Sequence, residues 1–167
     1  MKLFKHSGIF LAVLFSLCIV VNSSAQSSEF ETALKTAKKQ DKRVIVDVYT
    51  DWCGWCKKMD ADVYAKKKIK EIIKDNFVFV KLNAEGSSSI NYMGTAYSES
   101  DLASLFQVTG YPTTVFLEPN GKVIDYKYDN VKMNNLPGYF KISDFQKILE
   151  YISDGDYADT DLSSIVK

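Results

Sequence analysis

Apolar and polar positions follow two different periods along this chain. Between residues 29 and 40, Phe30, Ala33, Leu34 and Ala37 recur at the spacing of one helix face, and Lys38 and Lys39 put cations near its C-terminal end. Residues 44–49 (VIVDVY) and 77–82 (FVFVKL) are instead almost continuously apolar, the mark of strands buried on both faces. Between them, Cys53 opens a helix predicted to reach about Lys74, with a break near Asp62. Residues 83–95 contain Gly86, three consecutive serines and Gly94, and read as a long loop or irregular insertion. Ser100 is placed to cap a short helix through Gln107. Residues 113–117 form a third strand, and Asn120-Gly121 is a hairpin turn leading into a strand over 123–128. Residues 131–139 read as loop. Ser143-Asp144-Phe145-Gln146 has the capping-box pattern and opens a last helix through about Ser153. The polar tail from Gly155 is predicted to be poorly ordered or loosely docked.

Helices and strands therefore alternate, closed by a hairpin and a final helix. That order predicts an α/β fold with a central mixed β-sheet flanked by helices on both faces. The 167 residues suit one domain and not two. The boundaries expected are a leader over 1–25, a folded domain over 26–154 and the tail over 155–167.

The leader reads as an address. Lys2 and Lys5 precede a run of small or apolar residues from position 8 to 21, interrupted only by Ser16, and Ser23 and Ala25 supply small residues for cleavage before Gln26. The competing reading is a transmembrane anchor, but this run of 14 residues is short against the ~20 that span a bilayer. Leu17 before Cys18 does not fit a lipoprotein signal. The expected product is exported, periplasmic or extracellular, with no stable membrane insertion after cleavage.

Removing the leader changes the chemistry available. The chain as a whole balances 21 basic against 21 acidic residues, and the processed chain would carry 19 against 21, which gives no basic face for nucleic acid. The only histidine, His6, leaves with the leader, and with it any Ser-His-Asp or Cys-His mechanism. Cys18 goes too, so Cys53 and Cys56 remain to carry thiol chemistry.

A C-x-x-C can be half a zinc site, a structural disulfide or a redox pair. Zinc would want two further Cys or His ligands, which the processed chain lacks, so no metal is expected. A structural disulfide here would close too small a loop to constrain the unfolded chain much. At a strand-to-helix junction, Cys53 would sit at the helix N-terminus, where free N–H groups stabilise a thiolate. Cys56, one turn further in, is expected to be more buried and able to resolve a mixed disulfide.

The segment Val46-Asp47-Val48-Tyr49-Thr50-Asp51-Trp52-Cys53-Gly54-Trp55-Cys56-Lys57 resembles the active-site segment of the thioredoxin-fold family. Lys81-Leu82-Asn83 at the end of the next strand, Gly110-Tyr111-Pro112-Thr113 and the Asn120-Gly121 turn agree with that family in order. The resemblance covers about residues 44–128 and implies a thioredoxin-like fold. With Gly54-Trp55 between the cysteines, the site is more similar to exported thioredoxin-like proteins than to cytosolic thioredoxin, and residues 84–109 are longer than the corresponding connection.

The resemblance implies a thiol-disulfide oxidoreductase that needs no cofactor. Cys53 would attack a substrate disulfide and Cys56 resolve the mixed disulfide. Asp47 would shuttle the Cys56 proton with Lys81 as its partner; the alternative is a structural ion pair or a solvent-facing carboxylate. Pro112 matches the family's cis-proline, beside which Tyr111 would pair with an extended substrate. Trp52 either covers the site or packs, and Trp55 is expected to be exposed to partner proteins. Asp51 and Lys57 read as solvated surface. The tyrosines of the second half read as packing, or as a substrate groove with the 84–95 loop. Partners would be protein disulfides or dithiols and an upstream thiol electron donor such as a membrane reductase. The direction expected is reduction, because strong oxidants of the superfamily usually carry a histidine between the cysteines. A binding or chaperone-like module with an idle Cys pair is the reading from a different class.

Overall fold

A computed structural model describes residues 28–166. The leader, with Lys2, Lys5, His6, Cys18 and the cleavage position, lies outside the described residues. The first helix, α1 (Glu29–Gln40), starts where Ser28 Oγ accepts a hydrogen bond from the Glu31 N–H. Glu29 and Glu31 in its first turn and Lys38 and Lys39 in its last complement the helix dipole, and Asp41 closes it with a left-handed backbone at φ 53°.

Strand β1 (Arg43–Tyr49) follows at once and becomes the centre of the sheet. It is joined to β2 (Phe77–Asn83) through α2 (Gly54–Met59), a π-helical turn (Asp60–Tyr64) and α3 (Lys67–Asn76). β1 pairs with β2 in parallel and with β5 (Thr113–Leu117) antiparallel, and β8 (Leu136–Pro137) completes the order β2-β1-β5-β8. This is the mixed sheet the sequence predicts. The two faces separate cleanly by residue parity. Val44, Val46 and Val48 of β1 pack with α1 (Phe30, Ala33, Ala37) and with α4 (Glu99–Leu105) through Leu102 and Ala103. Ile45 points the other way, to Met59, Val63, Tyr64 and Ile69 and to α5 (Ile142–Asp154) through Phe145, Ile148, Leu149 and Ile152. Asp47, two residues on from Ile45, shares that second face.

Several local expectations are corrected. The segment from Cys53 is not one helix broken at Asp62: the π-helical turn absorbs an extra residue and the break falls at Ala65 and Lys66, where Lys66 is extended. Tyr64 decides this, wedged edge-on between Phe79 and Phe145 with its hydroxyl against Thr114 Oγ1. Residues 83–95 are no irregular loop. They contain β3 (Ser89–Tyr92), which turns at Met93 and Gly94, both at positive φ, into β4 (Thr95–Ser98), and Ile90 and Tyr92 anchor the hairpin in the core. Ser98, not Ser100, caps α4.

After Gly121 the chain returns to β5 only as a bridge between Val123 and Leu117. It then leaves to form a separate hairpin, β6 (Tyr126–Tyr128) with β7 (Val131–Met133), turning at Asp129 and Asn130. The predicted strand over 123–128 and loop over 131–139 are therefore both redrawn. The capping box at Ser143 does not form, because α5 begins two residues earlier than that box requires, with Lys141 as its uncapped boundary. Nor is the tail loose. Its 3₁₀ turns at Asp156–Ala158 and Leu162–Ser164 bring Leu162 and Val166 into the core. Among the described residues, no helix is long and apolar enough to cross a membrane.

Candidate active site

The site forms at the C-terminal end of β1. The Cys53 N–H donates to the Thr50 carbonyl at 3.1 Å, which turns the chain out of the strand. Cys53 then caps α2, its Sγ accepting from the Cys56 N–H at 3.0 Å, and the two cysteines are joined as a disulfide. A sulfur at this position faces the free N–H groups of a helix start, the setting that favours a thiolate once the bond is reduced. The expected difference in burial between the cysteines is not seen: each is only 3% exposed. Gly54 is exposed, and a Cβ there would touch nothing.

An aromatic rim surrounds the disulfide. Trp52 is exposed, donates its indole N–H to the Glu85 carboxylate at 3.0 Å and meets the Tyr111 ring edge-on at 6.0 Å. Trp55, also exposed, lies 5.5 Å from the Tyr139 ring, and Lys58 Nζ sits over the same ring at 5.6 Å. The Tyr111–Pro112 peptide bond is cis. Pro112 is buried, and its carbonyl accepts from the Gly138 N–H at 2.8 Å, which draws the residues before α5 to the site. Trp55, Tyr111, Pro112, Gly138 and Tyr139 thus line one groove of about 330 Å³. Asp51 and Lys57 are exposed on either side of the cysteines.

A charged cluster gathers between β1, β2 and the π-helical turn. Asp47 stands opposite Lys81 in the parallel register and opposite Thr114 in the antiparallel one. It is 1% exposed, and its Oδ2 lies 3.1 Å from Lys81 Nζ. That ion pair is its one charged contact on Oδ2, and Oδ1 has no hydrogen-bond partner. Burial pushes the Asp47 carboxyl up to about 6, against the pull of the Lys81 ammonium. Lys81 in turn donates to both oxygens of Asp60, at 2.8 and 2.7 Å, and sits over the Tyr49 ring. Burial disfavours the Lys81 charge, but Asp60 and Asp47 together outweigh it and raise the Lys81 pKa.

All the residues singled out in the sequence fall into these two neighbouring groups. Cys53, Gly54, Cys56, Trp52, Trp55, Tyr111 and Pro112 belong to the disulfide and its rim, and Asp47 and Lys81 to the cluster. Tyr139 is one of the second-half tyrosines read as packing or as a groove, and it lines the groove. Two neighbours escaped the sequence reading, Glu85 and Asp60. Asp60 left a signal, since it stands four residues after Cys56 and so shares its helical face. Glu85 arrives through a long-range contact that no local pattern encodes.

The profile of the Thioredoxin-like domain family matches residues 30–153. The chain belongs to this family. Among relatives, a protein disulfide-isomerase of Hordeum vulgare is 30% identical over 89 residues, which cover 53% of this chain and 15% of that protein. The thiol:disulfide interchange protein DsbD of Pseudoalteromonas atlantica is 29% identical over 96 residues, 58% of this chain and 15% of that protein. This chain therefore matches a small part of either relative's length. Among solved structures, a thioredoxin-fold protein from Helicobacter pylori aligns with a TM-score of 0.63 at 26% identity, covering 75% of this chain and 80% of that one. Cys53 and Cys56 stand at disulfide distance in a C-x-x-C within the matched region.

Proposed function

We propose that this protein is an exported thiol-disulfide oxidoreductase that reduces protein disulfides. The observation that carries the reading is the Cys53–Cys56 disulfide at the start of α2, rimmed by the groove and backed by the Asp47 carboxyl. In the reduced protein, the Cys53 thiolate attacks one sulfur of a substrate disulfide, forming a mixed disulfide and releasing the first substrate thiolate. Cys56 then passes its proton to Asp47, and its thiolate attacks Cys53 Sγ. The second substrate thiolate leaves, and the Cys53–Cys56 disulfide remains. Two electrons have moved from enzyme to substrate, and an upstream thiol donor such as a membrane reductase returns them by the same exchange.

A carboxyl titrating near 6 is largely ionised at neutral pH and still basic enough to accept a proton. Trp52, Trp55, Tyr111 and Pro112 supply the apolar surface for an extended substrate segment, with Gly54 leaving the approach to the sulfurs open. The direction follows from the absence of a histidine between the cysteines. Trp55 cannot donate to the Cys53 thiolate as an imidazole would, and a less stabilised thiolate favours the disulfide form, a reducing poise. Export rests on the leader. The decisive assay is insulin reduction by the processed protein. Cys53→Ala is expected to abolish it, and activity surviving in that variant would refute the reading.

A further inference from the structure

We propose that Asp60 is a positioning residue: it captures the Lys81 ammonium and thereby leaves the Asp47 carboxylate free to take and return the Cys56 proton. The inference rests on the proton-relay reading above and adds to it the device that keeps the relay open. An ammonium has three N–H donors, and a buried carboxylate 3.1 Å away would ordinarily hold at least one of them. Here the two shortest contacts, 2.7 and 2.8 Å, both go to Asp60, and Asp47 keeps only the longer 3.1 Å ion pair at Oδ2. A Lys81 bonded to Asp47 alone would lock that carboxylate in its charged form as a plain ion pair.

The π-helical turn explains the capture. Asp60 is its first residue, and its N–H still closes onto the Cys56 and Lys57 carbonyls of α2. It thus extends the face that carries Cys56, with its side chain directed to Lys81 on β2. The charged and titratable groups that act on Asp47 or feel its charge are Lys81 from β2, Asp60 and Tyr64 from the π-helical turn and Tyr49 from its own strand. β5 contributes the uncharged Thr114. Burial holds the Tyr64 phenol well above its usual range, so it stays neutral. The balance between Lys81 and Asp60 therefore sets what Asp47 experiences, and the Asp60 charge adds its own upward push.

The test follows the ¹³C signal of the Asp47 side-chain carboxyl against pH in the whole processed protein, as wild type, Asp60→Asn, Lys81→Met and the double variant. Asp60→Asn is expected to lower the Asp47 midpoint by about one pH unit, because Lys81 turns to the remaining carboxylate. With Lys81→Met already present, the same change should move the midpoint far less. An unmoved midpoint in Asp60→Asn overturns the capture, and so does an equal shift in both backgrounds, which would leave only repulsion between carboxylates. The acidic limb of single-turnover disulfide reduction should move down with the midpoint. A midpoint that falls while the rate profile stays fixed leaves the capture standing and overturns the relay reading.

Discussion

Asp47 is a carboxylate placed where elementary solvation disfavours it, in the middle of a strand whose neighbours are fully buried valines. The rise from 3.8 to about 6 corresponds to ~3 kcal/mol held against the ionised form in the fold. The sign of its pH dependence follows. Below about pH 3.8 the group is protonated in both states and contributes no penalty. Between 3.8 and 6 the unfolded chain ionises first, so stability falls as pH rises, and above 6 the full penalty persists. Asp47→Asn should therefore stabilise the oxidised protein by up to ~3 kcal/mol at pH 8 and by little at pH 4. Urea unfolding at both pH values checks this, and an equal gain at both would place the effect outside Asp47 ionisation. The same substitution should slow turnover, which makes it a case of stability gained where function is lost.

At the scale of elements, the tail after α5 is a structural part of the domain. Leu162 is 1% exposed against the core formed by Phe145, Ile148 and Ile152. The Asp161 carboxylate binds the tail to the β6–β7 turn, accepting from the N–H groups of Asp129 and Asn130 as well as from Ser163. These bonds hold its pKa down at about 2. Leu162→Ala should cost about 2–5 kcal/mol in denaturant unfolding, and a change near zero would mean that the tail does not dock. The tail looked loose in the sequence because its apolar residues are few and scattered among polar ones, and only the tertiary contact reveals which residues count. The same cause explains the other misread elements. β1 and β5 were legible because burial on both faces writes a continuous apolar run; β2 carries the same run but is an edge strand, half-buried along much of its length rather than buried on both faces as expected. β8 has two residues and exists only through its pairing with β5, while β3 is four residues long and hid behind the Gly/Ser content before it. Within the site, Asp47 and Lys81 were legible through the family resemblance. Asp60, half-buried after α2, carries no such motif, and only the ion pair with Lys81 places it.

Over the whole molecule, the two sheet faces divide the work. The α1 and α4 face is a packing layer, while Asp47, on the same face of β1 as Ile45, joins Lys81 and Asp60 in one charged cluster. The connection between β5 and α5, through the β6–β7 hairpin and β8, brings Gly138 and Tyr139 to the rim, so one wall of the groove belongs to a segment far from the cysteines in sequence. Chemistry and recognition are thus built by different parts of the chain around one disulfide. The central claim, a reversible Cys53–Cys56 couple poised to reduce, is tested most directly by its reduction potential. The processed protein would be equilibrated with dithiol buffers of graded potential and its free thiols counted. A value near the −270 mV of thioredoxin, within about 30 mV, is the expected result. A value near about −120 mV, that of the oxidant DsbA, would contradict it and make the protein a donor of disulfides.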